Sequence, residues 1–337
     1  MEGLATAVAR AGGVGVLAAV LIGFEEKGFL KDPMTVTLNS LERQIKNSKR
    51  NSGGVIGVNI MVALENYEEI CRTAALAGAD IIISGAGLPM QLPATIPEGC
   101  DTKLVPIVSS GRAAAIICKR WFAHYKRLPD AVVVEGPKAG GHLGFRAEDL
   151  EKEEFQIEAL VQDVCSSLKP FEKKHGVDIP VIAAGGIYDG EDIYNIFQLG
   201  AAGVQMGTRF VATEECDASD TFKEAYLKAT RDDIVIIKSP VGMPGRALSG
   251  KFTDKVASGE KQPKNCIYHC LRPCTYPDTP YCIGMALINA KRGYLDAGFV
   301  FCGENVWRVN KIVKVQELMD ELVQGYRNAV QAHSSQA

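Results

Sequence analysis

No uninterrupted apolar run in this 337-residue chain reaches the roughly 18 residues of a membrane-crossing helix, so no transmembrane helix is expected. There is no basic stripe with interleaved aromatics. Aromatic residues make up only 7% of the chain and the net charge is −3, which argues against a nucleic-acid partner. Lys46, Lys49 and Arg50 read as a solvated helix end. Residues 1–24 do not read as a secretory leader, because Glu2 stands where basic residues belong and Arg10 interrupts the apolar stretch, so the expectation is a cytoplasmic protein. No internal repeat appears, and no low-complexity tract beyond the polar tail at 333–337. A dinucleotide fingerprint is missing too, because Gly12-Gly13-Val-Gly15 joins a helix to a strand rather than a strand to a helix. What remains is a chain with 47% hydrophobic residues. That is enough for one large α/β domain of about 250 residues with an appended piece.

The rhythm along the chain is strand, turn, helix. Strands are predicted at Gly13–Ala18, Val55–Met61, Ala79–Ser84, Leu104–Ser109, Ala131–Glu135, Val181–Ala184 and Gly203–Met206. They are near-continuous apolar runs, as expected of strands buried on both faces of a parallel sheet. Helices are predicted near Leu38–Lys49, Tyr67–Ala77, Arg112–Tyr125, Phe155–Leu168, from an Asp189 cap to Leu199, and at Phe222–Ala229. The alternation implies right-handed βαβ units. Seven strands are one short of a closed (β/α)₈ barrel, and the chain opens inside a helix carrying Leu4, Val8 and Ala9. The expected fold is therefore a TIM barrel lacking its first strand, with an open doubly wound sheet as the alternative. After Ile234 the rhythm breaks. Residues 1–235 are expected to form the barrel and 236–311 a small cap containing a Cys-rich loop, Asn265–Cys282. A final amphipathic helix, centred on Ile312–Tyr326 within 312–330, is expected to pack back on the barrel.

The most informative stretch runs from Ala131 through Glu135 to Gly140-Gly141-His142. A β-branched strand stops at Glu135, and a glycine turn then presents one histidine at a strand's C-terminal end, where barrels do their chemistry. His142 can titrate near neutrality, as a general base must. Two later turns, Ala184-Gly185-Gly186-Ile187 and Gln205-Met206-Gly207-Thr208-Arg209, follow the seventh and eighth strand positions. Barrels bind phosphate with these two loops. Backbone N–H groups of Gly186 and Gly207 and the Thr208 hydroxyl are the expected donors. FMN fits such a site: one phosphate, and a flat ring able to lie across the barrel mouth.

These turns, with the Gly303-Glu-Asn-Val-Trp-Arg308 motif, resemble those of the nitronate monooxygenase family, which is related to FMN-dependent enoyl-acyl-carrier-protein reductases. The resemblance covers nearly the whole chain. It implies a TIM barrel holding FMN noncovalently under a small second domain. It also implies Asn59 as a flavin contact, Gly140 and Gly186 flanking the flavin, Gln205, Met206, Gly207 and Thr208 at its phosphate end, and His142 as base or hydrogen-bond donor. Glu135, Gly141 and Gly185 are counted with the flavin cradle. Three departures stand out. The family's first strand, ending in a Gly-Gly-Met turn beneath the flavin, would precede Met1. Glu135 replaces the Gln of many members, and a carboxylate there would disfavour an anionic reduced flavin. Lys138 replaces an acidic residue.

Of ten cysteines, Cys71, Cys100, Cys118, Cys165 and Cys216 are scattered and expected to be reduced. Cys266, Cys270, Cys274 and Cys282 form a dense set that could hold an iron–sulfur cluster or zinc, with His269 as an extra candidate ligand. Their spacing matches neither the common ferredoxin runs nor zinc-ribbon pairs, and a metal-free loop of thiols is the alternative. Three functional readings follow. The leading one is an FMN-dependent nitronate monooxygenase acting on a small molecule. The second is an NAD(P)H-dependent flavin reductase of an activated alkene. The third is an inert flavin- or metal-binding protein.

Overall fold

A computed structural model of the protein describes residues 2–260, 266, 269–275 and 278–335. Its centre is a parallel sheet of β1 (Val14–Ala18), β2 (Val55–Met61), β3 (Ile81–Gly85), β4 (Lys103–Val108), β5 (Val132–Glu135), β7 (Val181–Ala184) and β8 (Gly203–Gln205), joined in that order. Between β5 and β7 in the sequence lies the two-residue β6 (Gly141–His142), which belongs to another sheet. All seven predicted strands are present. Their alternate residues Val14, Val16, Ile81, Ile83, Val105, Val133 and Ile182 line one continuous cavity, so the sheet is curled around an apolar lumen. The curl does not close. Among the described residues no strand joins β1 to β8, and Val14 and Val16 on the free edge are 43% and 37% exposed. The fold is TIM-barrel-like with a gap at the first-strand position, as the strand count implied.

The helices are α1 (Glu2–Arg10), α2 (Pro33–Ser52), α3 (Tyr67–Leu76), α4 (Leu92–Thr95), α5 (Gly111–Tyr125), α6 (Ile157–His175), α7 (Gly190–Gln198), α8 (Thr208–Val211), α9 (Asp220–Lys228), α10 (Lys251–Ala257), α11 (Ile283–Lys291) and α12 (Val315–Ser334). Helix α1 lies tight on the outer face of β1 because Gly15 carries no side chain: a Cβ there would sit 1.9 Å from the Ala5 carbonyl oxygen. Helix α2 starts five residues before the predicted Leu38. Asp32 caps it by accepting from the Thr35 N–H at 3.1 Å, with proline in the first turn. Helix α6 runs past the predicted Leu168 to a left-handed Gly176, tolerating Pro170 inside it. Asp189 caps α7 through a reciprocal capping box with Asp192.

The stretch after Ile234 holds structure the hydrophobic rhythm did not reveal. Strands β9 (Ile234–Lys238) and β10 (Pro244–Leu248) form a three-stranded antiparallel sheet with β6, in the order β6-β10-β9. Phe252, Tyr281, Ile283, Ala286 and Phe299 from this stretch share a buried cluster with barrel residues such as Leu17 and Ile60. Asn265, named above as the start of the Cys-rich loop, lies outside the described residues, as does Met1. Helix α12 begins at Val315, three residues later than predicted, and continues to Ser334. It packs on α7, where a Cβ on Gly190 would lie 2.1 Å from the Tyr326 nitrogen. No described helix is long and apolar enough to cross a membrane.

Candidate active site

The C-terminal ends of β2, β5, β7 and β8 open into a cavity of about 950 Å³, within the range of small-molecule and cofactor sites. Asn59, Glu135, Gly140, Gly141, Gly185, Gly186, Gln205, Met206, Gly207 and Thr208 all border it. The sequence-predicted turns thus converge on one space. Helices α1 and α12 flank its open side with Leu4, Val8, Met319 and Leu322.

The backbone of the site depends on missing side chains. A Cβ on Gly140 would lie 2.5 Å from the carbonyl carbon of Cys302, so the turn after β5 packs directly on the 302–303 backbone. Gly185 and Gly186 both adopt left-handed φ, +91° and +88°, and a Cβ on Gly185 would meet the Ala139 nitrogen at 2.9 Å. At Gly207 a Cβ would meet nothing within 4 Å, so this turn faces open space. The chain over 303–308 ties the turns together. Gly303 N–H donates to the Thr208 hydroxyl oxygen at 2.9 Å, Glu304 N–H to the Lys138 carbonyl at 3.1 Å, and Asn305 Nδ2 to the Gly186 carbonyl at 2.6 Å. The Thr208 oxygen accepts in that bond, which leaves its O–H to donate elsewhere.

Glu135 ends β5 at the cavity wall. Burial pushes its carboxyl up to about 7, and it has no ion-pair partner among the described residues. His142 is placed differently from the expectation of an open turn. It is held in β6, opposite Gly245 of β10, with Nε2 2.7 Å from Ser239 Oγ. Its ring packs edge-on against Phe301 at 5.1 Å between centroids. Phe301 lines the cavity and His142 does not. Burial pulls its pKa down to about 4, so the imidazole is neutral across the physiological range.

Some site residues gave no clear sequence signal. Arg246, 4% exposed, donates to the Pro137 carbonyl at 3.2 Å and pairs with Glu304 at 3.3 Å, pinning the turn after β5 to the 303–308 segment. It sits in β10, whose Gly/Pro-rich neighbourhood hides a strand. Tyr188 lines the cavity with its ring between the guanidiniums of Arg209 and Arg308, at 4.4 and 4.0 Å. Asn305 was legible only as part of the 303–308 motif. Cys266, Cys270, Cys274 and Cys282 do not border the cavity.

A parallel barrel-like sheet, with glycine turns and titratable side chains gathered at the C-terminal strand ends, defines an α/β protein with an enzyme-type site. Residues 1–325 match the nitronate monooxygenase family, and the chain belongs to it. It is 30% identical over 258 residues to a Mycobacterium tuberculosis protein named (3aS,4S,5R,7aS)-5-hydroxy-7a-methyl-1-oxo-octahydro-1H-indene-4-carboxyl-CoA dehydrogenase, a match covering 77% of this chain and 62% of that one. It is 36% identical over 196 residues to a probable nitronate monooxygenase of Staphylococcus saprophyticus, covering 58% and 51% respectively. The matches thus span about half to three fifths of these relatives. The fold resembles that of FabK from Thermotoga maritima, with a TM-score of 0.76 and 26% identity over 100% of this chain and 92% of that one. It also resembles nitroalkane oxidase from Streptomyces ansochromogenes, a likeness of fold alone, with a TM-score of 0.74 and 21% identity over 98% and 93%.

Proposed function

We propose that this chain is an FMN-dependent oxidoreductase that oxidises alkyl nitronates with oxygen as the final electron acceptor. The observation carrying this reading is the convergence of the Gly185-Gly186 and Gln205–Thr208 turns on the cavity that Glu135 and Asn59 also border. The residues present fit a flavin mononucleotide. The cavity is large enough, its depth is apolar, and the open space in front of Gly207 suits a phosphate. FMN, when bound, supplies a two-electron acceptor that oxygen can regenerate.

The protein's own residues bind and orient. Backbone N–H groups at Gly186 and Gly207 and the Thr208 hydroxyl hold the phosphate end, while Asn59, Gly140 and Gly141 border the ring. His142, a neutral imidazole hydrogen-bonded to Ser239 and packed behind Phe301, is assigned as the base or hydrogen-bond donor, reaching the substrate once the Phe301 ring that lines the cavity turns aside. Residues 1–235 form the flavin-binding unit, 236–311 cover its mouth and 312–330 brace it, in a cytoplasmic enzyme. The test is oxygen consumption by the FMN-loaded chain. Propionate 3-nitronate should drive it without added NADH or NADPH.

A second reading rests on the fold likeness to FabK from Thermotoga maritima, 26% identical over the whole of this chain, and on the resemblance to FMN-dependent enoyl-acyl-carrier-protein reductases. There the same site would serve NAD(P)H-dependent reduction of an activated alkene such as an enoyl thioester. Oxygen consumption that required NADH or NADPH and ignored the nitronate would favour it.

A further inference from the structure

A phosphate monoester brings close to two negative charges at neutral pH. Backbone N–H groups such as those of the Gly186 and Gly207 turns offer it hydrogen bonds but no full positive charge. Three arginines stand near those turns, and each already has a partner. Arg209, directly after Thr208, donates from Nη1 to the Tyr188 carbonyl at 2.9 Å and pairs through Nη2 with Glu321 at 2.8 Å. Arg308 pairs with Asp189 at 2.7 Å, and Arg246 with Glu304 at 3.3 Å. None of the three borders the cavity.

Lys138 is placed differently. Among the described residues it is the only lysine, arginine or histidine that borders the cavity, whose other ionisable carboxyl groups are Glu135 and Glu304. It is half-buried, and no ion pair or hydrogen bond engages its ammonium among the described residues. Its stem lies across Gly186: a Cβ on that glycine would meet Lys138 Cβ at 3.1 Å and Cδ at 3.2 Å. Only Cε separates Cδ from Nζ, so the ammonium stays beside the Gly186 turn. The backbone of this lysine is fixed as well. Its carbonyl accepts from Glu304 N–H at 3.1 Å, and the neighbouring Pro137 carbonyl accepts from Arg246 at 3.2 Å. A Cβ on Gly303 would lie 2.7 Å from Thr208 Oγ1 and 3.4 Å from the Lys138 carbonyl oxygen, so Lys138 and Thr208 meet across Gly303. Gly186 N–H and the Thr208 hydroxyl, two of the groups that hold the phosphate in the proposed complex, therefore flank the one unpaired cation at the cavity. A cation drawn out of water beside neutral donors is stabilised by an anion that accepts from all of them.

Resting on FMN as the cofactor, we propose that the Lys138 ammonium is the charge partner of its phosphate and makes this chain select flavin mononucleotide over riboflavin. The full chain, stripped of flavin, is titrated with FMN and with riboflavin, and binding is followed by flavin fluorescence. The wild type should bind FMN at least about tenfold more tightly than riboflavin at low salt. Lys138→Met keeps the stem and removes the charge. It should weaken FMN binding about tenfold or more and leave riboflavin within about twofold, the latter showing that the fold and the ring site are intact. Lys138→Arg, which keeps the charge, should hold FMN within about threefold of the wild type. Added salt should weaken FMN binding by the wild type more than by Lys138→Met. Lys46→Met, on the exposed side of α2, should match the wild type for both flavins. Unchanged FMN affinity in Lys138→Met, or an equal loss for FMN and riboflavin, overturns the proposal. A wild-type chain that takes up neither flavin overturns FMN as the cofactor, and this contact with it.

Discussion

His142 Nε2 and Ser239 Oγ lie 2.7 Å apart, joining the short strand β6 to the end of β9 just behind the wall of the cavity. The pair holds the orientation of the ring, and burial keeps the ring neutral with a pKa of about 4. In the proposed reaction Ser239→Ala should leave FMN affinity within about twofold and lower kcat about tenfold or more, the loss of one orienting hydrogen bond. The kcat profile of the wild type should show no inflection from His142 between pH 5.5 and pH 8. An inflection near the ordinary histidine value of about 6.5 that disappears in His142→Ala would contradict this placement.

Glu135 supplies a prediction with a definite sign. Its folded pKa, about 7, lies above the ordinary carboxyl value of 4.5. Between those values the folded state holds more protons than the unfolded one, so this group's contribution is fully present below about pH 4.5 and is lost as pH rises through 7. Glu135→Gln should match the wild type in urea denaturation at pH 4.5 and exceed it at pH 8 by up to about 3 kcal/mol. An equal difference at both pH values would show that the carboxyl is not perturbed.

His142 works in the opposite direction. Its folded pKa lies below the unfolded 6.5, so its stabilising contribution is complete above pH 6.5 and is lost as pH falls toward 4. His142→Phe should therefore reduce the acid sensitivity of folding between those limits, read as a shallower fall of urea midpoint from pH 7 to pH 5. An unchanged slope would contradict the buried, neutral histidine.

Two adjacent glycines separate steric from conformational cost. Gly140→Ala drives a methyl to within 2.5 Å of the Cys302 carbonyl carbon and must displace backbone, costing about 2–3 kcal/mol of stability. Gly141→Ala has open space at the methyl but a φ of +80°, and should cost about 1 kcal/mol. Thermal melting of the two variants checks the order, and the reverse order would overturn the packing described here.

Thr208→Val keeps the shape and removes both the acceptor of the Gly303 N–H and the donor proposed for the phosphate. FMN affinity should fall about tenfold, and fluorescence titration measures it. Unchanged affinity would place the phosphate elsewhere.

The strands and the glycine turns were legible because their signals are local. Apolar runs such as Val132–Glu135 and Val181–Ala184 have no exposed face, and Gly185-Gly186 needs its left-handed backbone whatever surrounds it. The gap beside β1 was legible as a missing strand in the count. What escaped depends on distant pairing. A two-residue strand such as β6 has no periodicity, so nothing in Gly141–His142 announces its partner a hundred residues later in β10. The withdrawal of His142 behind Phe301 follows from that pairing. Arg246 was hidden for the same reason: its partners, the Pro137 carbonyl and Glu304, come from the two ends of the chain's interior turns. The early start of α2 was readable in Asp32-Pro33, a cap and first-turn proline that the hydrophobic pattern alone passes over.

Anaerobic addition of propionate 3-nitronate to the FMN-loaded chain, with the flavin absorbance followed in a stopped-flow cell, tests the central claim most directly. The account predicts rapid bleaching by the nitronate alone and recovery of the oxidised spectrum on admitting oxygen. A fully loaded flavin that stays oxidised with the nitronate and bleaches with NADH would contradict it.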